Sequence, residues 1–366
     1  MAGRVRQPID LDAFQKYLET NVPQIKTPIQ LRQFKLGQSN PTYQVIAADG
    51  SKCVLRKRPP GKLISKHSHR VEREYQVLRA LERTDIPAPR TIALCMDDSI
   101  IGTPFYLMEF VEGRIFEDIT MGDVSPEERN DLWKAAVQAM AELHSVDPAD
   151  ICLENYGGKT SGFYNRQVRT WEAISRSQAK VLDTKTNTPV GQLPYFDETV
   201  SFFKREGGQP TERLSLVHGD FKLDNLVFHP TEPRVIAILD WESSTIGHPL
   251  SDVCQLAVAF YVATRPETCP YDMSCMLPGR TPGMPQPPQL LSWYAESCEY
   301  NPAPDMNWGM AFNIFKSAVI CHGVAARMAN EQNKNSDARY YAAVKGPLAE
   351  LAWTLTREAH VPRAML

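Results

Sequence analysis

Asp220, Asn225 and Asp240 are the side chains of this sequence whose types and spacing could do the most chemistry. They stand in LVHGDFKLDNLVF and RVIAILDWE, with Asp220 and Asn225 spaced as D-x-x-x-x-N and Asp240 closing an apolar run. A short hairpin over residues 226–239 would bring Asn225 and Asp240 together. An amide oxygen and a carboxylate at that point suit Mg²⁺, a hard cation that prefers oxygen ligands and usually takes one or two carboxylates beside phosphate oxygens. Asp220 is then left to meet a hydroxyl group. The competing reading, three residues that merely cap loops, requires all three spacings to coincide by chance.

The elements that would hold these residues can be read in part. Tyr43–Ala47, Cys53–Leu55 and residues 104–111 (PFYLMEFV) are short apolar runs flanked by Gly and Pro, as strands are. Between them Val71, Tyr75, Leu78 and Leu81 recur at helical spacing, and Pro87 and Pro89 follow. The expected order is strands, one helix, strands. Ser125-Pro126-Glu127-Glu128 then signals a helix start, with an N-cap serine, proline in the first turn and glutamate three residues after the cap. Leu214–Val217, Leu226–Phe228 and Val235–Leu239 are expected strands. Two further helices are expected, one on Leu250, Val253, Ala257 and Tyr261, the other on Phe312, Phe315, Val319 and His322. Residues 266–288 hold seven prolines and little periodicity, so they are expected to form a long functional loop.

The 366 residues suffice for two domains or for one core divided into two lobes. Hydrophobic residues at 43% and charged residues at 23% exclude a disordered or fibrous chain. A formal charge of −3 gives no global attraction for nucleic acid, so any anion site must be local. The eight cysteines show no C-x-x-C pair and no Cys/His cluster at zinc spacing, which points to reduced thiols in a cytoplasmic setting. No secretory h-region and no run of 18 apolar residues occurs, so no membrane span is expected, while organelle import by an N-terminal presequence stays open.

The spacing of Asp220, Asn225 and Asp240 matches the catalytic loop and D-F-G segment of protein kinases, with His218-Gly219-Asp220 for H-R-D and Asp240-Trp241-Glu242 for D-F-G. HGD…N…D with IGHPLSD more closely resembles the aminoglycoside phosphotransferase and choline kinase-like family. GQSNPTY, VLRKRPPGKL, EREYQVL, FYLMEFVEGRIF, HGDFKLDN and LDWESSTIGHPLSD are similar to the kinase-like domain fused to acyl-CoA dehydrogenases in some animal proteins. The resemblance runs from about Leu31 to Asp252. It implies an α+β, two-lobed protein kinase-like fold. Residues 1–111 would form an N-lobe of antiparallel sheet, helix and hinge, and residues 112–366 a mainly helical C-lobe, with ATP and Mg²⁺ bound between them.

The same frame implies further roles. Side chains alternate along a strand, so Val54, Arg56 and Arg58 share a face, and Arg56 takes the place of the kinase lysine two residues after a small apolar residue. The alternative is a solvated basic edge with Lys57 and Arg58. Glu74 is the implied helix partner of Arg56, with Glu72 as competitor and a plain surface charge as the other reading. Gly37, Ser39 and Asn40 belong to the implied phosphate-covering loop, or to a plain turn. Glu109, Phe110 and Val111 fall where the family's hinge binds adenine through backbone groups. Lys222 would face the γ-phosphate, His218 would organise the loop by hydrogen bonds, and Asp252 would be a buried structural brace. Neither an A-P-E sequence nor a long phosphorylatable segment follows Asp240, which favours a small hydroxylated acceptor over a polypeptide. The fusion-type resemblance implies a hydroxyacyl group or hydroxy acid, with a CoA thioester as the carrier. Aminoglycosides or choline-type amino alcohols are the rival acceptors. A non-catalytic nucleotide-binding module is the rival class, but its usual mark is loss of base or metal residues, and all three are present. The 266–288 loop, Trp308 and Arg327 are expected to build the acceptor pocket.

Overall fold

The computed structural model describes residues 2–34, 40–59, 69–158, 161–266, 272–331 and 336–359. The chain divides into two compact units. The first comprises Met1–Glu117, Pro148–Glu154 and His218–Ser244, and the second Asp118–Asp147, Asn155–Val217 and Thr245–Leu366. These units do not follow a single cut at residue 111, because the segment carrying Asp220, Asn225 and Asp240 groups with the N-terminal residues.

In chain order the elements begin with β1 (Ala2–Gly3), α1 (Leu11–Asn21), β2 (Gln30–Phe34), β3 (Thr42–Ile46), β4 (Lys52–Lys57), α2 (Val71–Leu81), β5 (Thr91–Cys95) and β6 (Phe105–Glu109). Next come α3 (Pro126–Ser145), α4 (Phe163–Ala179), α5 (Phe196–Phe203), β7 (Ser215–Val217), β8 (Leu226–Phe228), β9 (Val235–Ile238) and β10 (Thr245–Gly247). The last helices are α6 (Leu250–Ala263), α7 (Pro287–Ser297), α8 (Met306–Ala329) and α9 (Ser336–Glu358).

In the first unit, β1 to β6 form one antiparallel sheet in the order β1-β2-β3-β4-β6-β5. One face of the central strands packs Tyr43, Val45, Leu55, Phe105 and Leu107 into a core with Phe14 and Leu18 of α1. The sequence reading expected one helix beside this sheet, and the structure has two. The signal for α1 was present: Asp10 caps it, accepting from Ala13 N at 2.9 Å, and Phe14 and Leu18 lie one turn apart on its buried face. Helix α2 buries Val71, Glu74, Val77, Leu78 and Leu81. β8 and β9 form the expected hairpin, pairing Leu226 with Ile238, and Leu239 N donates to Asn225 O at 2.8 Å, so residues 225 and 239 close the loop that carries the site.

The second unit is mainly helical, with β7 and β10 paired antiparallel. Helix α3 starts where its cap predicts, with Ser125 Oγ accepting from Glu128 N at 3.2 Å. Helix α8 is long and apolar enough to cross a bilayer by length and composition, yet 72% of its apolar window is buried inside the protein, as in a core helix. Two expectations change here. Pro287 and Pro288 open α7 rather than continue the irregular loop, because proline costs nothing in a first turn whose N–H groups lack helical partners. Trp308, expected in an acceptor pocket, is 6% exposed and stacks on Phe312 with Tyr164 and Phe203 edge-on, so it belongs to the aromatic core. Arg327 is exposed near the end of α8, and residues 267–271 of the expected loop lie outside the described residues.

Candidate active site

Strand β4 sends Arg56 to the sheet face opposite the α1 core, where it is buried. Its guanidinium lies against three carboxylates. Nε is 2.8 Å from Glu74 Oε2, and Nη2 is 2.5 Å from Asp240 Oδ1 and 3.2 Å from Glu242 Oε2. The Nε contact is a short ion pair misdirected for a hydrogen bond. Glu72, the competing partner, instead pairs with Arg58 at 3.2 Å and Arg70 at 2.8 Å. Tyr106, directly across from Arg56 in the β4–β6 register, donates its hydroxyl to Glu74 Oε2 at 3.0 Å. Burial pushes the Glu74 carboxyl up to about 7; Arg56 opposes this, and the nearby Asp240 and Glu242 charges reinforce it. Burial works against the Arg56 charge, but Glu74 and Asp240 outweigh it and hold the guanidinium above its ordinary value.

Asn40 turns its side chain inward. It is fully buried, and Nδ2 donates to Glu74 Oε1 at 2.7 Å and to Glu242 Oε2 at 3.2 Å, while Oδ1 lies 3.2 Å from His69 Nδ1. Its amide is thus spent inside the protein. Gly37 and Ser39 lie outside the described residues.

The loop from His218 to Asn225 is shaped by one glycine and one histidine. Gly219 has φ +84°, and a Cβ there would lie 2.4 Å from Ser243 O, which explains glycine at the middle of H-G-D. His218 is buried; Nδ1 faces Asp220 N at 3.3 Å and Nε2 faces Leu239 O at 2.8 Å. An amide can only donate and a carbonyl only accept, so the ring accepts at Nδ1 and donates from Nε2. The ring therefore ties the Asp220 backbone to the end of the hairpin. Asn225 Nδ2 donates to Asp220 O at 2.9 Å and to Asp220 Oδ2 at 3.2 Å, leaving Asn225 Oδ1 as the acceptor available to a cation. Lys222 Nζ stands 3.5 Å from Asp220 Oδ2 and 3.3 Å from Asp224 Oδ2. Burial raises the Asp220 carboxyl above its ordinary value; Lys222 and His218 oppose this, and Asp240 adds to it. The Lys222 ammonium is also raised, because Asp220 and Asp224 outweigh its burial. Asp240 takes the left-handed conformation with φ +67°, a strain typical of residues held for function.

Arg56, Lys222, Asn225 and Asp240 meet at a cavity of about 240 Å³ in the first unit. Val54, Met108, Val111, Val227 and Leu239 give it apolar walls, and Arg56, Glu109, Lys222, Asp224, Asn225 and Asp240 line it as well. Glu109 N donates to Arg90 O at 2.8 Å. The structure thus brings Arg56, Glu74, Asp220, Lys222, Asn225 and Asp240 into one assembly, with Glu109 and Val111 on the same cavity. Oxygen donors from Asn225 and Asp240 fit a hard divalent cation, and no group of three or more His, Cys, Asp and Glu residues suited to a metal occurs among the described residues. Sequence reasoning missed Asp224, Glu242 and Tyr106. Glu242, two residues after Asp240, and Tyr106, across from Arg56, carried faint signals. A larger cavity of about 600 Å³ in the second unit, lined by Tyr261, Pro287, Leu291 and neighbours, has none of this chemistry.

Residues 30–272 match the phosphotransferase enzyme family, a span that takes in every residue of the polar cluster. This chain belongs to that family. The chain is similar to acyl-CoA dehydrogenase family member 11 of Pongo abelii, 37% identical over 330 residues that cover 90% of this chain and 40% of that protein. It therefore spans well under half the length of the curated relatives it matches. Among solved structures it is similar to a candidate aminoglycoside phosphotransferase from Ralstonia eutropha, at 31% identity and TM-score 0.80, covering 97% of this chain and 100% of the other. The ethanolamine kinase of Plasmodium vivax shares the fold at 13% identity and TM-score 0.59, covering 94% of this chain and 87% of the other. The chain thus has the α+β, kinase-like fold, with an antiparallel N-terminal sheet and a helical remainder.

Proposed function

We propose that this phosphotransferase moves the γ-phosphoryl group of ATP, with Mg²⁺, to the hydroxyl of a small molecule, a hydroxyacyl-CoA or a hydroxy acid. The observation that carries the reading is the convergence of Arg56, Asn225 and Asp240 on one apolar-walled cavity, with Asp220 bonded to Asn225 beside it. Adenine would occupy the apolar part, against Val54 and the backbone of residues 109–111. Arg56, held by Glu74, would grip phosphate oxygens, a task suited to the forked guanidinium. Asn225 Oδ1 and the Asp240 carboxylate would hold Mg²⁺, which when bound neutralises charge on the phosphates. Asp220 orients the acceptor hydroxyl and takes its proton as the new O–P bond forms and the bond to ADP breaks. Its raised pKa makes it a better base than an ordinary aspartate. Lys222 stands close enough to Asp220 to meet the transferred group.

Similarity to an acyl-CoA dehydrogenase family member supports the acyl acceptor. An aminoglycoside or amino-alcohol acceptor is the second reading, favoured by the 31% identity to the Ralstonia eutropha protein. A reducing, cytoplasmic setting is part of the proposal and is supported by free cysteines such as Cys53, Cys254 and Cys321. The test is incubation with ATP, Mg²⁺ and a panel of hydroxyacyl-CoAs, hydroxy acids, choline analogues and aminoglycosides, read by mass for an added phosphate. Phosphate on a hydroxyacyl-CoA or hydroxy acid is the expected result. Phosphate on aminoglycosides alone would transfer the conclusion to the second reading, and none on any compound would end both.

A further inference from the structure

We propose that Asn40 is a positioning residue for Arg56: its amide ties the Glu74 and Glu242 carboxylates together and so aims the guanidinium at the nucleotide phosphates. This rests on the reading of the cavity as an ATP site. Three observations carry it. Asn40 is fully buried and gives both amide hydrogens to carboxylates, 2.7 Å from Glu74 and 3.2 Å from Glu242. Those same two carboxylates also contact Arg56, at 2.8 Å and 3.2 Å. Asn40 itself is fixed close to Arg56, because Thr42, whose Oγ1 donates to Asn40 O at 3.0 Å, is the direct cross-strand partner of Arg56.

The chemistry explains why asparagine stands there. A guanidinium has five donors and takes its direction from the acceptors it finds. Glu74 comes from helix α2 and Glu242 from the turn after β9, so nothing in the chain's local geometry keeps the two carboxylates at a fixed separation. Their like charges would drive them apart. An amide NH₂ supplies two hydrogens from one atom and no charge, so it can join two carboxylates that also share a cation. Aspartate of the same size would offer only acceptors, and serine only one hydrogen.

The test is ATP affinity by calorimetry for the wild type, Asn40→Ala, Glu242→Ala and the double variant, each with Mg²⁺ and with EDTA. Loss of charge-assisted hydrogen bonds should weaken ATP binding about tenfold in each single variant. The double variant should be no more than about twofold worse than the weaker single, since both remove one device. The Asn40 effect should persist in EDTA, because Arg56 meets phosphate without the metal. Independent, multiplicative losses, unchanged affinity in a folded Asn40→Ala protein, or an effect confined to Mg²⁺ would each overturn the proposal. Asn40→Ser, which keeps one hydrogen, serves the same cycle if the alanine variant does not fold. A wild type that binds no ATP would overturn the functional reading and this inference together, whereas normal wild-type binding with silent Asn40 variants would overturn the inference alone.

Discussion

Arg56 and Trp308 are almost equally buried, 5% and 6% exposed, but in opposite surroundings. Arg56 in the first unit is enclosed by Glu74, Asp240 and Glu242, so one cation faces three carboxylates. Trp308 in the second unit is enclosed by Tyr164, Phe203 and Phe312. Taking charges out of water costs several kcal/mol per ion before pairing offsets it, and a hydrophobic replacement often does as well for stability. Aromatic packing carries no such cost and adds about 0.5–1.5 kcal/mol per ring pair beyond area burial. Arg56 is therefore kept for geometry, and Trp308 for stability. Buried charge without a stability motive is a mark of the working site.

The widest separation should come from Asp220→Asn. It preserves size but cannot take a proton, so turnover should fall about 10²–10⁴-fold while ATP affinity and melting temperature change little. Near-normal turnover would remove Asp220 as the base, and collapse of ATP binding would move it into the metal site. Trp308→Ala should do the reverse, costing about 3–5 kcal/mol of stability by urea unfolding. An intact stability with altered acceptor preference would return Trp308 to a pocket wall.

A smaller effect tests the charged unit internally. Arg56→Ala should raise the ATP concentration needed for half-maximal rate by about tenfold or more. Arg58→Ala should stay within about 1 kcal/mol in both rate and stability, since its pair with Glu72 is partly exposed. Equal damage from the two changes would erase the distinction drawn for Arg56. A further test of the charged unit concerns pH. The Glu74 carboxyl is raised from 4.5 to about 7 by burial, so the folded protein favours its protonated form. That contribution to stability is complete below about 4.5 and is lost as pH rises through about 7. Glu74→Gln lacks this loss. Urea unfolding at several pH values should show the wild type losing stability relative to Glu74→Gln across that window, and parallel curves would contradict the raised value.

What local sequence determines here is substantial. Asp220, Asn225 and Asp240 lie within one loop and hairpin, where chain geometry alone limits how far apart they can be. The face chosen by Arg56 follows from strict alternation along β4, and the start of α3 follows from Ser125 and Glu128, three residues apart. Each is a short-range consequence of bond geometry. Helix α1 is also written locally, in Asp10, Phe14 and Leu18. Tertiary structure alone decided the rest. Asn40 and Glu242 are 202 residues apart, and no spacing rule relates them. Trp308 sits on a helix whose apolar residues surround it, so the pattern could not say whether its ring faced a pocket or a core. Periodicity reports the conformation of a segment, whereas a partner across the fold is chosen by the packing of elements that meet only after the chain has closed.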